Sequence, residues 1–94
     1  MASIEQIKAA RALLGWLQED LAAQSGVSLP TVKRLESRSP LQVSDEARLK
    51  MEAALEAAGV EFTNGDKPGV RLNKQLAEQA ARRQQDTQIE GEDE

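Results

Sequence analysis

The sequence predicts a mainly α-helical domain closed by a short C-terminal β-hairpin, on three observations. Apolar residues recur at three- and four-residue intervals over 4–14 and again over 47–58, which lays a single stripe along a helix. Serines that cap helices and glycines that end them punctuate those runs. After Gly59 the pattern changes to VEFT and VRL around NGDKPG, two short extended runs about a turn-forming loop.

Ser3 followed by Gln6 has capping-box spacing, so a first helix starts at Ile4. Ile4, Ile7, Ala10 and Leu14 form its inner stripe, and Gly15 stops it. A second helix is expected from Gln18 to Gln24 or Ser25, with Leu21 and Ala22 inward. Gly26 follows, where the reversing chain needs a cheap positive φ, and Val27 plugs the space between two helices. Ser28 is the N-cap of the third helix, and Pro30 falls in its first turn, where a missing N–H costs nothing. Val32 and Leu35 face the core, leaving Thr31, Lys33 and Arg34 outward; Pro40 is the expected end of this region.

Ser44 caps a fourth helix, with Asp45 and Glu46 at its positive end. Ala47, Met51, Ala54, Leu55 and Ala58 make its inward stripe, and Gly59 takes the residue after the cap. A lone two-stranded hairpin is marginal in water, so the one that follows needs a surface to cover its apolar face. From Asn73 the pattern weakens. Leu76, Ala77, Ala80 and Ala81 support about two helical turns, and QQDTQIEGEDE has the polarity of a disordered end. The expected organisation is 1–59 as the helical domain, 60–72 as the hairpin and 73–94 as a polar acidic tail, weakly helical or disordered.

Composition removes several kinds of chemistry. The 94 residues hold no cysteine and no histidine, so neither a disulfide framework nor a transition-metal site is expected, and no cofactor. No apolar run reaches the roughly eighteen residues of a membrane span, and MASIEQIK lacks the character of a signal peptide; a cytoplasmic location is expected. One Trp, one Phe and no Tyr are too few for a base-stacking platform, so Trp16 is read as a packing residue between the first two helices. The pairs Glu19/Asp20 and Asp45/Glu46 sit in first helical turns, where the helix dipole accounts for them, and no nucleophile has a base partner. Catalysis is not expected.

The net charge of −4 is unevenly spread. Residues 1–72 carry nine Lys/Arg against ten Asp/Glu, and residues 73–94 carry three against six. Within 28–38 the sign reverses, with Lys33, Arg34 and Arg38 against Glu36 alone. Phosphate attraction follows the local potential, so a near-neutral body with one basic helix is compatible with DNA. The stretch from Leu17 to Arg38 therefore has the layout of a helix-turn-helix, whose second helix enters the major groove.

With Ala12-Leu13-Leu14-Gly15, Gln18-Glu19-Asp20-Leu21-Ala22, Ser25-Gly26-Val27-Ser28, Thr31-Val32 and Arg34-Leu35-Glu36 in order, the chain resembles the Cro/CI-type (XRE family) regulators over residues 4–60. The resemblance implies a compact four- to five-helix bundle of the lambda-repressor-like DNA-binding type. It implies that Gln18 touches a DNA phosphate at the start of the second helix. It also places Ser28, Leu29, Pro30, Thr31, Lys33 and Arg34 at base edges and neighbouring phosphates, with Ser37 and Arg38 near the opposite phosphate wall. Arg11 and Glu36 match positions that pair as a structural salt bridge. The chain departs from the family at Leu29-Pro30, where relatives carry base-reading polar residues; neither side chain donates a hydrogen bond, although Leu29 suits a thymine methyl. The function implied is sequence-specific binding of double-stranded DNA, with repression from a palindromic operator as a homodimer.

Three questions stay open at the level of sequence. The hairpin either caps its own core or presents Val60, Phe62, Val70 and Leu72 to a second copy as a dimer interface, the reading favoured here. A second functional class also stands: an antitoxin or anti-activator whose helix-turn-helix scaffold binds a protein. The acidic tail is a solvated end, a negative charge that lowers nonspecific DNA affinity, or a contact for a protein partner.

Overall fold

The computed structural model describes residues 1–37 and 43–82, so Arg38, the expected stop at Pro40 and residues 83–94 lie outside the described residues. Among the described residues the elements are α1 (Ile4–Leu13), α2 (Gln18–Ser25), α3 (Leu29–Ser37), α4 (Asp45–Ala57), β1 (Val60–Thr63), β2 (Gly69–Leu72) and α5 (74–82). The result is the mainly helical bundle with a C-terminal hairpin that the sequence predicts. None of these helices is long and apolar enough to cross a membrane.

Local chemistry sets the helix starts. Ser3 Oγ accepts from the Gln6 N–H at 3.1 Å while Gln6 Oε1 accepts from the Ser3 N–H at 2.9 Å, a closed capping box. Ser44 Oγ accepts from the Ala47 N–H at 3.1 Å, with Asp45 and Glu46 in the first turn of α4. The apolar stripes then meet in one core of Ile7, Ala10, Leu21, Val27, Val32, Leu35, Met51, Leu55 and Val60. Burial of each large side chain among these contributes about 1.5–3 kcal/mol. Trp16 packs half-buried against the same core.

The hairpin is antiparallel, with Val60 opposite Leu72 and Phe62 opposite Val70. Those four side chains share one face, as the two-residue period of a strand requires. That face turns toward α1 and α4, while Glu61 and Arg71 pair on the outer face at 3.1 Å. Val60 is only 2% exposed, so the expectation that it belongs to a surface presented to a second copy is corrected: it fills its own subunit's core. Phe62, Val70 and Leu72 are half-buried against that core. The physical reason is the one that makes an isolated hairpin marginal, since its apolar face must be covered and the helices lie nearest. Gln6 completes the attachment. Its buried amide donates to the Thr63 carbonyl at 2.7 Å and the Gly69 carbonyl at 3.0 Å, closing the loop end of the hairpin onto α1.

Gly59 and Asn73 bring α5 back to the bundle. The Asn73 N–H donates to the Gly59 carbonyl at 2.7 Å, and Asn73 Oδ1 accepts from the Leu76 N–H at 3.1 Å, capping α5. Gly59 has φ 107°, and a Cβ there would stand 2.7 Å from the Ala77 nitrogen and 3.0 Å from the Asn73 carbonyl oxygen. Beyond this junction, α5 and the ends of α1, α2 and α4 border an open groove of about 460 Å³, with Ala54, Ala57, Ala77 and Ala80 among its walls. We expect Gly59→Ala to destabilise the protein by about 1–3 kcal/mol through backbone strain and to loosen α5. Thermal melting and hydrogen exchange over 74–82 measure both effects; unchanged melting and protection would refute this account of the junction.

Candidate nucleic-acid interface

The reversal between α2 and α3 is built from small residues with particular tasks. Gly26 has φ 75°, and its N–H donates to the Ala22 carbonyl at 3.0 Å. Ser25 Oγ donates to the Leu21 carbonyl at 2.6 Å and accepts from the Val27 N–H at 3.3 Å. Val27 then drops into the core. Ser28 Oγ receives the Thr31 N–H at 3.3 Å, starting α3, and the Ser28 and Thr31 hydroxyls bond to each other at 2.7 Å.

Helical spacing divides α3 into two sides. Val32, Leu35 and Glu36 are buried, whereas Ser28, Pro30, Lys33, Arg34 and Ser37 are exposed, and Leu29 and Thr31 are half-buried. Ser37 Oγ donates back to the Arg34 carbonyl at 3.2 Å. Leu29 and Lys33 meet Gln18, Leu17, Glu19 and Arg11 around one surface depression. Thr31 and Arg34 border a second, together with Gly26, Ser44, Glu46 and Lys50. Ser37 joins neither, and Arg38 lies outside the described residues. Among the described residues Lys33 and Arg34 form no ion pair, so both charges are available to an outside anion.

The inward charge of α3 is handled differently. Arg11 Nε donates to Glu36 Oε2 at 2.7 Å and Nη2 donates to Glu36 Oε1 at 2.8 Å, a bidentate pair. The Arg11 side chain is 21% exposed and that of Glu36 only 4%. Arg11 Nη1 also donates to the Trp16 carbonyl at 2.8 Å, and Gln18 Nε2 donates to Glu36 Oε1 at 3.1 Å. The Arg11 pKa is raised above its ordinary value, chiefly by the hydrogen bond to Glu36, with desolvation opposing and the Glu36 charge assisting. One carboxylate thus gathers α1, the start of α2 and α3. Gln18, expected on sequence grounds to meet a phosphate, has one amide hydrogen committed to Glu36 and a second left to donate.

Sequence reasoning missed Leu17. It is the N-cap of α2, has no side-chain acceptor and is 63% exposed beside Gln18 and Leu29. The absence of a polar residue at a cap position was a readable signal for it.

The family model for helix-turn-helix proteins matches residues 7–56, from within α1 to the last turn of α4. The chain belongs to that family, the Cro/CI-type (XRE family) regulators. It is a DNA-binding transcriptional regulator. No curated protein matches the chain.

Arg11→Met should cost about 3–5 kcal/mol, because the buried Glu36 carboxylate loses its counter-ion. The double variant Arg11→Met/Glu36→Leu should recover most of that loss, since neither charge then remains to be desolvated. Urea unfolding of the three proteins checks both; a double variant no more stable than Arg11→Met would reject the coupling.

Proposed function

We propose that the protein is a repressor that binds a palindromic operator in duplex DNA as a homodimer and acts by occlusion. The reading rests above all on the outward side of α3, where Lys33 and Arg34 stand exposed while the acid of the same helix, Glu36, is neutralised inside. In this reading α3 lies in the major groove. Arg34 takes a guanine through its guanidinium fork, and Lys33 serves a base or the adjoining phosphate. Gln18 and the first N–H groups of α2 hold a phosphate and set the register. Ser28 and Thr31 extend the contact to base edges and neighbouring phosphates, and Ser37 and Arg38 meet the opposite phosphate wall. The protein works in the cytoplasm, on the nucleoid when bound, and needs no cofactor.

A single recognition helix buries too little surface for tight and selective binding, whereas two copies read half-sites about 34 Å apart on one DNA face. With Val60 inside the core, the apolar surface we assign to the second copy is the half-buried Phe62, Val70 and Leu72. Leu72 also borders the α5 groove, where Leu13 is 44% exposed. That same groove favours the second reading, an antitoxin or anti-activator that binds a protein.

Selection of bound duplexes from a random pool tests the proposal, and it should return a two-fold symmetric motif. On that motif Arg34→Ala should lose about 1–3 kcal/mol, roughly five- to 150-fold, and much less on unrelated DNA. Equal losses on both DNAs would remove Arg34 as a base reader. The logarithm of affinity should fall by about 0.9 per phosphate contact per log unit of salt. No binding to any duplex at low salt would turn the assignment to the protein-binding reading. Sedimentation with the selected duplex should show two copies per site; a single copy at saturation would remove the homodimer.

A further inference from the structure

We propose that Leu17 and Leu29 together form an apolar lip that reads the methyl group of one thymine in each half-site. The inference rests on the DNA-binding reading above and assigns Leu17 as a further specificity-determining residue.

Folding leaves Leu17 without a role. Ser, Thr, Asp and Asn are preferred at an N-cap because their oxygen satisfies a first-turn N–H, and leucine is among the poorest residues there. At α2 only the reverse half of a capping box is made, with Asp20 Oδ2 accepting from the Leu17 N–H at 2.8 Å. The leucine side chain projects 63% exposed. An apolar side chain therefore stands in water at a position where a polar one would stabilise the helix.

Its neighbours specify what can cover it. Leu17 and the half-buried Leu29 line the same depression, between the first turns of α2 and α3, on the side that carries Lys33 and Gln18. Of its other lining residues, Arg11 is committed to Glu36 and the Trp16 carbonyl, and Gln18 spends one amide hydrogen on Glu36. Glu19 and Lys33 border the depression with opposite charges, and what fits against the two leucines themselves is small and apolar. In the major groove only thymine presents such a group, its C5 methyl, and Lys33 at the rim suits the neighbouring polar edge or phosphate.

The test uses the full chain and the duplex enriched from a random pool, with each thymine replaced in turn by deoxyuridine, which deletes only the methyl. One symmetry-related pair of replacements should weaken wild-type binding several-fold. Leu17→Ala should weaken binding to the thymine duplex to a similar degree and show no further loss on the uracil duplex. Leu17→Ser separates this role from a merely structural one: the new cap should raise the melting temperature while operator affinity falls. Uracil tolerated at every position, or Leu17→Ala and uracil losses that simply multiply, would overturn the lip while leaving DNA binding intact. Leu17→Ala that leaves operator affinity unchanged but abolishes self-association in sedimentation would overturn it in favour of a protein contact. Failure of any duplex to enrich would instead overturn the DNA-binding reading itself, and the lip with it.

Discussion

The position of the recognition helix depends on one buried carboxylate. Glu36 lies on the inner side of α3, and Arg11 from α1 grips both of its oxygens. A third nitrogen of the same guanidinium holds the Trp16 carbonyl, which places the turn leading into α2. Gln18 adds the start of α2 to the same oxygen. Taking two charges out of water is expensive, and hydrophobic replacements of similar volume are often as stable or more so. The pair is therefore better understood as setting register than as supplying stability. Rotating α3 by one residue would leave Glu36 facing water and Arg11 without its partner. The arrangement has an electrostatic consequence as well: the only acid on α3 is withdrawn from the face that Lys33 and Arg34 occupy.

What was legible in the sequence was chemistry acting over three or four residues. Ser3 with Gln6, Ser44 with its two acids, Gly26 with its positive φ, and the loop between Thr63 and Gly69 each announce themselves locally. The division of α3 was legible for the same reason, since a 3.6-residue period puts Val32 and Leu35 opposite Lys33 and Arg34. Residues meeting across long separations were not. Gln6 has an obvious task as a cap, and nothing in its neighbourhood says that its amide reaches the Thr63 and Gly69 carbonyls. Gly59 reads as an ordinary helix stop, whereas the Ala77 backbone approaches it too closely for any side chain.

The hairpin illustrates the same limit. Alternation predicts that Val60, Phe62, Val70 and Leu72 share a face, and they do. It does not say what that face meets, because a subunit's own core and a second copy demand identical patterns. Proximity decides: α4 ends immediately before β1, and Gln6 clasps the loop end, so the helices cover Val60 first. Phe62, Val70 and Leu72 stay partly accessible.

Net charge and DNA binding are reconciled by distance. Physiological salt screens exposed charges beyond about 8 Å, so acids remote from α3 contribute little to the potential a phosphate meets there. Among the described residues, Glu19 borders one depression beside α3, and Glu46 the other, where it pairs with Lys50 at 3.6 Å. They flank a helix whose uncompensated described cations are few, and such a surface attracts DNA of arbitrary sequence only weakly. In the reading proposed above, most of the affinity for a particular site comes from contacts that need the right bases: an arginine fork on guanine, and hydrocarbon against a methyl group. A sparse positive face lowers the nonspecific competition that any regulator meets in a genome, and so raises the ratio that decides occupancy.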